Sequence, residues 1–508
     1  MIPRTAHERF IMTILPFLAG SFVIILVMAS CTSPSREGLP PGSPFAATHV
    51  SEKPVQRSGP LPEGIAIGDV SSRSAVLWLR TDGPKAVQVE WAPIEVWEKI
   101  GVMASVLPPV ARTPVILTGA EADFTLSIVL DDLAPMTPYR YHVLIGDPQP
   151  PDKAKRGTMV AKGEFKTHPG TGYSIPLTFA WSGDLGGMGH CRRGDSGYPI
   201  FDVIRAQLPD FFILLGDTIY GDHTCPSPPN EPGADFVATT VEDYRAKHRY
   251  QRGASALRRF LAAVPVYVMW DDHEVKNDFS GPTEPLMPLG RKAFQEYWPI
   301  QTNQNDPHRL YRSIRFGADV EFFLLDTRQY RSKNSEMDGP KKTMLGSSQM
   351  RWLLDGLASS DATWKIVVTS VPLSIPKEGR GSTRGHDGWA GGPDQTGFER
   401  ERQVIVDTIL KHKVKNVVFL SGDVHFVQAN AYDPDDDGSI DFHEFVAGPL
   451  SASANRLSSP SLNLRPKNLI SEKGYYNFGL VHVTSRSFDV NVIDESGKTR
   501  FSHSLAAQ

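Results

Sequence analysis

Acids and imidazoles cluster at four places, each just after an apolar run. Residues 182–187 read SGDLGG, 216–222 GDTIYGD, 270–278 WDDHEVKND and 421–426 SGDVHF. One Gly-Asp pair is commonplace, because Asp after Gly is frequent in turns and helix caps. Four core strands ending in acids, with His273 and His425 beside two of them, point instead to metal ions held by oxygen and imidazole. A fifth acidic stretch, DPDDDGSIDFHE at 433–444, has the spacing of an EF-hand calcium loop: Asp433, Asp435, Asp437 and Asp441 at positions 1, 3, 5 and 9, Gly438 at 6 and Glu444 at 12. An EF-hand needs a helix on each side, whereas both flanks here read as strands. The loop is therefore either an accessory calcium site or a solvated acidic turn, and Glu444 falls where the returning strand begins.

The elements that must position these residues alternate. LTFAWSGD, DFFILLGD, PVYVMWDDHE, VEFFLLDTRQY, WKIVVTSVP and NVVFLSGDVHF read as buried strands, while YPIFDVIRAQLP, SSQMRWLLDGLAS and FERERQVIVDTILKHK read as helices. That pattern predicts an α/β layered domain over 172–508. Sites in such sheets form beyond the carboxyl ends of the strands, which is where the acids stand. Residues 61–168 instead show short alternating runs broken by Gly, Pro and Asp, predicting an all-β sandwich, and DLAPMTPYRYHV within them resembles the fibronectin type III pattern.

The chain has 508 residues, 22% charged and 40% hydrophobic, with a net charge of -4. This is a globular protein of more than one domain, with no basic footprint for nucleic acid. Arg4 and Arg9 precede the apolar run FIMTILPFLAGSFVIILVMA and then SCTSPSREG, the form of a secretory leader over 1–31. VMASC resembles a lipobox, so Cys31 is a lipidation candidate; an uncleaved anchor is the alternative. Either predicts an exported, membrane-tethered protein, periplasmic or on the cell surface, with 32–60 as a flexible Ser/Pro/Gly linker. Cys191 and Cys225 stand in loops, either as a disulfide or as two free thiols. A monomer is expected.

In this order, Gly-Asp-x-Gly, Gly-Asp-x-x-Tyr, Asp-His-Glu and Gly-Asp-x-His resemble the calcineurin-like metallophosphoesterases. WDDHEVKND, DFFILLGDTIY, LLDTRQYR and LSGDVHF, following DVSSRSAVLWLR, are similar to the PhoD-like (alkaline phosphatase D) branch. The resemblance implies a two-sheet α/β sandwich that hydrolyses small phosphate esters, monoesters or diesters, with a metal-activated water. It implies one ion held by Asp184, Asp217, Tyr220 and His425, suited to Fe(III), and a second shared by Asp217, Asp272 and Asp423. Ser370 stands at a further position where related purple acid phosphatases have His. That exchange of imidazole for oxygen favours Ca(II), with Mn, Mg or Zn as alternatives and zinc the least suited. Some relatives carry a cysteine in the first motif, where this chain reads WSGDLGG. His273 is either the proton donor to the leaving oxygen or a buried, hydrogen-bonded His. Asn277 is a candidate phosphate ligand. Arg328 is either a phosphate clamp or an ion pair with Asp326. His386, Asp387 and Trp389, in a glycine-rich loop, either touch substrate or form a plain turn. A surface lipoprotein that binds metal or phosphate without turnover is the competing class.

Overall fold

The computed structural model describes residues 59–99, 110–148, 156–194, 196–377 and 385–508. The leader, Cys31 and nearly all of the 32–60 linker lie outside the described residues.

Parallel pairing brings the site-bearing strand ends to one edge. Leu177–Ser182, Phe211–Leu214 and Val266–Val268 run parallel, with Phe211 opposite Phe179 and Phe212 opposite Val266. In a second sheet Val320–Leu324, Trp364–Val368, Val417–Ser421 and Phe442–Val446 are parallel as well. Nearly all of these residues are buried, as strands covered on both faces must be.

The nine-stranded and seven-stranded sheets face one another through aromatic rings. Phe179 and Phe211 meet Phe322 at 5.1 and 5.5 Å between centroids, and Trp364 meets Phe488 at 5.3 Å. The two-residue period sends Ala180, Phe212 and Leu214 the other way, against the helices Ile200–Ala206, Ser255–Leu261 and Met287–Tyr297. Gly346–Ser359 and Glu399–Lys411 cover the second sheet with Leu353, Leu357, Ile405 and Ile409. The layers are helix, sheet, sheet, helix. Asn477–Val483, Ser487–Asp494 and Thr499–Ala506 extend the first sheet to its edge.

The amino-terminal unit is β-rich, as expected, with a core of Leu77, Val87, Val89, Tyr141 and Phe165. One of its sheets is continuous with the catalytic one. Ile65–Gly68 pairs parallel with Val266–Val268, and Ala75–Arg80 and Thr125–Leu130 extend the same nine-stranded sheet. Glycine permits the junction, since a Cβ on Gly68 would stand 2.6 Å from Pro299 Cγ and from the Val266 carbonyl oxygen. Trp78 seals the far face, donating Nε1 to the Glu296 carbonyl at 2.7 Å with the Arg252 guanidinium 3.7 Å above its ring.

His168 lies at the end of this unit, with Nε2 2.9 Å from Tyr267 Oη and Nδ1 3.4 Å from the Arg315 carbonyl oxygen. Burial lowers its pKa to about 4. The unfolded chain, with an ordinary His near 6.5, therefore binds one more proton between those values, so stability falls as pH drops from about 6.5 to 4. Chemical denaturation across that window should show the wild type losing up to about 3 kcal/mol more than His168→Gln, which cannot titrate. Identical acid limbs would refute the assignment.

Candidate metal centre

The strand ends turn sharply. Asp184, Asp217, Asp423 and His425 have φ of +62°, +52°, +67° and +55°, in the left-handed region that side chains other than glycine's avoid. Surrounding bonds hold this strain. Leu185 N donates to the Asp217 carbonyl at 2.8 Å, and Ser451 and Ala452 donate to the Asp184 carbonyl at 3.2 and 3.1 Å. Glu274, fully buried, accepts the backbone N–H groups of Asp217, Thr218 and Asp271 at 3.1, 2.6 and 2.8 Å. Gly448 (φ +127°) lies against the first tip; a Cβ there would meet Asp184 Oδ2 at 2.6 Å.

Asp184, Asp217 and His425 bring one donor atom each within 4.8 Å of one another, all buried. Tyr220 Oη is 3.2 Å and Asp184 Oδ1 3.6 Å from His425 Nε2. His425 Nδ1 lies 2.6 Å from the Ser453 carbonyl oxygen, which fixes the proton there and leaves the Nε2 lone pair facing the acids. Burial lowers this imidazole to about 3, so it stays neutral. Beside this group Asp271, Asp272 and Asp423 converge equally closely, and Asp217 does so with Asp272 and His273. Ser370 Oγ donates to Asp271 Oδ1 at 2.6 Å, so the residue in the histidine position supports a carboxylate.

These residues fit cations. Asp184 Oδ2, Asp271 Oδ2, Asp272 Oδ1 and Asp423 Oδ2 are buried with no hydrogen-bond partner. Burial, reinforced by neighbouring carboxylates, raises Asp184 to about 8 and holds Asp217 and Asp423 well above the usual range. Buried, mutually repelling oxygens of this kind are stabilised by a bound ion. Oxygen donors at one position, and oxygens plus a phenol and an imidazole at the other, suit two ions of different hardness.

Around this centre the structure sorts the remaining candidates. His273 stacks on Tyr220 at 4.1 Å and places Nδ1 2.7 Å from Asp222 Oδ1. Burial would lower its pKa, but Asp222 and Asp272 outweigh that and raise it to about 9. Asn277 gives its backbone N–H to Asp222 Oδ2 at 2.9 Å, and its side chain is half-buried. The Arg328–Asp326 ion pair is corrected: Asp326 Oδ1 takes only the Arg328 backbone N–H, at 3.1 Å, and the guanidinium points to other acids. It is fully buried, with Nε on Asp271 and both terminal nitrogens on Asp387 at 2.7 and 2.8 Å. His386 and Trp389, of the glycine-rich loop, are packed into the protein. Both are buried, with His386 Nδ1 3.0 Å from Thr396 Oγ1 and Trp389 Nε1 donating to Thr369 Oγ1 at 3.3 Å. Asp387, held by Arg328, Arg331 and Asn334, instead converges with Asp272 and Asp278.

In the 433–444 loop, Asp433 and Asp437 accept backbone N–H groups of Asp437, Gly438 and Ser439, and Asp435 Oδ1 lies 3.4 Å from the Asp437 N. Burial and these acids raise Asp441 to about 6. Glu444 is corrected: it lies in the strand Phe442–Val446, accepting from Leu373 N, Tyr432 Oη and Ser421 Oγ at 2.7, 2.6 and 3.1 Å, and so cannot close the loop around an ion. Cys191 and Cys225 form a disulfide, Cα atoms 5.9 Å apart. Asp222, Asp271, Glu274 and Lys377 were not singled out by sequence. The first three stand inside the quoted motifs, where their spacing from the ligands is the available signal, but Lys377 has none.

A family model described as PhoD-like phosphatase matches residues 186–492, and one described as its N-terminal domain matches 47–169. Alkaline phosphatase D of Bacillus subtilis (strain 168) is 30% identical over 430 residues, 76% of this chain and 68% of that protein. A solved structure of PhoD aligns with a TM-score of 0.67 at 22% identity, covering 88% of this chain and 94% of the other. A purple acid phosphatase from yellow lupin (Lupinus luteus) seeds aligns with a TM-score of 0.59 at 15% identity, covering 88% and 75%.

An ion that binds only the folded chain stabilises it by about 4 kcal/mol at a thousandfold excess over its dissociation constant. Divalent and ferric ions returned to chelator-stripped protein should therefore raise its melting temperature by several degrees, and Asp217→Asn should remove most of that rise. Equal shifts in the two proteins would contradict a centre built around Asp217.

Proposed function

The chain belongs to the PhoD-like phosphatase family, and from that premise we propose an exported phosphatase with a mixed iron–calcium centre. It is a metal-dependent phosphoric ester hydrolase. Asp184, Asp217, Tyr220 and His425 are the residues to hold Fe(III). Asp272 and Asp423, with Asp217 between the two positions, are those to hold Ca(II); Asp271 stands beside them. Mn or Mg suits the same oxygens, and zinc suits them less. The observation that carries the reading is the set of unpartnered buried oxygens on Asp184, Asp271, Asp272 and Asp423.

When bound, the ions supply positive charge to the phosphoryl oxygens and acidify an attacking water. The chain's own residues do the rest. His273 keeps a proton because Asp222 holds Nδ1, and its Nε2, 4.0 Å from Asp272 Oδ1, faces the centre. From there it donates to the departing ester oxygen. Asp222 is a positioning residue for that ring. The basic-then-apolar leader and Cys31 support export with a lipid tether, and the Cys191–Cys225 disulfide agrees with an oxidising compartment.

Nitrophenyl phosphate and bis-nitrophenyl phosphate should both be assayed. The reading expects faster monoester turnover, and Asp217→Asn should lose at least about a thousandfold in kcat/KM on either substrate. His273→Asn should cost about 10²–10⁴-fold on alkyl phosphates and less on nitrophenyl phosphate, whose good leaving group needs little protonation. Unchanged hydrolysis by Asp217→Asn would sink the metal-centre mechanism, and a uniform His273 effect would remove its role as acid. Preferred turnover of the diester would reassign the enzyme as a phosphodiesterase.

A further inference from the structure

Lys377 lies among carboxylates of the second ion position. Its Nζ is 2.5 Å from Asp423 Oδ1, 3.5 Å from Asp387 Oδ2, 3.7 Å from Asp278 Oδ1 and 3.9 Å from Asp272 Oδ2. The Lys377 carbonyl accepts the Asp387 N–H at 2.8 Å, which pins the base of the side chain to the cluster. Arg328 and Arg331 also face these acids, but their side chains are 0% exposed and locked in several bonds each. The Lys377 side chain is 23% exposed. Its ammonium stands on a flexible four-carbon stem, unlike the two locked guanidinium groups.

Asp272 and Asp423 are the carboxylates the proposed second ion requires, and one ammonium now faces both. An ammonium and a hard divalent ion repel strongly at such separations in a poorly hydrated site, so the two exclude each other. We propose that Lys377 is a resident counter-cation of the second ion position: it neutralises Asp272 and Asp423 while that position is empty, must swing out before a divalent ion binds, and so weakens the affinity of the position. This rests on the reading of Asp272 and Asp423 as ligands of that ion. The consequence is a position that fills only where hard divalent ions are plentiful.

The test is calorimetric titration of calcium into the full chain, comparing Lys377 with Lys377→Met and Lys377→Arg. Asp435→Asn and Asp437→Asn are carried in every protein, so that the exposed acidic loop adds no binding. Lys377→Met, similar in length but uncharged, should bind calcium at least about tenfold more tightly, while Lys377→Arg stays close to the parent. A second readout needs no substitution at Lys377. Acetylation of its amine, followed by mass spectrometry, should rise several-fold when calcium saturates the protein, with exposed Lys413 unchanged. Equal or weaker calcium binding by Lys377→Met, or labelling indifferent to calcium, overturns the role of Lys377 and leaves the metal centre standing. Absence of calcium binding by every protein overturns both.

Discussion

Buried carboxylates repel one another, and this fold gathers Asp184, Asp217, Asp271, Asp272 and Asp423 at the carboxyl edge of two facing sheets with at most 5% of any of them exposed. Bringing these groups together requires a parallel sheet, because only parallel strands end on the same side. It also requires the left-handed turns at Asp184, Asp217, Asp423 and His425. Neither arrangement stabilises the chain unaided. The aromatic interface between the sheets and the helices outside them hold the edge in place, and the neutralising charge comes from Arg328, Arg331, Lys377 and the ions the site is built to hold.

The division of labour among the acids follows from their surroundings. Glu274 ties three backbone amides of the ligand loops together. Asp222 orients His273. Asp387 and Arg328 brace the second position, and Asp271 is fixed from two sides by Arg328 and Ser370. The amino-terminal unit stands behind this framework by strand pairing, with Gly68 against Val266 and Trp78 against the helix Met287–Tyr297. The strand it pairs with, Val266–Val268, leads directly into the loop that carries Asp271 and Asp272.

Much of this was legible in the sequence, because bulky apolar runs stopping at Gly-Asp state both a buried strand and its functional end. The fold class followed from strands alternating with helices. What escaped was set by distance along the chain. The Arg328 guanidinium finds Asp271 and Asp387 57 and 59 residues away, whereas the nearby Asp326 takes only its backbone N–H. Glu444 fits a calcium-loop spacing, yet its strand period turns it into the sheet toward Leu373 and Tyr432. His386 and Trp389 sit in a glycine-rich segment that reads as a surface loop but packs inside. Lys377 reaches its acids from an unpatterned segment, where only three-dimensional convergence reveals it.

The central claim is that two different ions occupy adjacent positions defined by these strand ends. Crystals of protein purified without chelator, measured on both sides of the iron absorption edge, test it directly. The account predicts an iron-specific anomalous peak enclosed by Asp184, Asp217, Tyr220 and His425, and a second cation without iron signal against Asp272 and Asp423. Density for one ion only, iron in both positions, or ions bound elsewhere would contradict it.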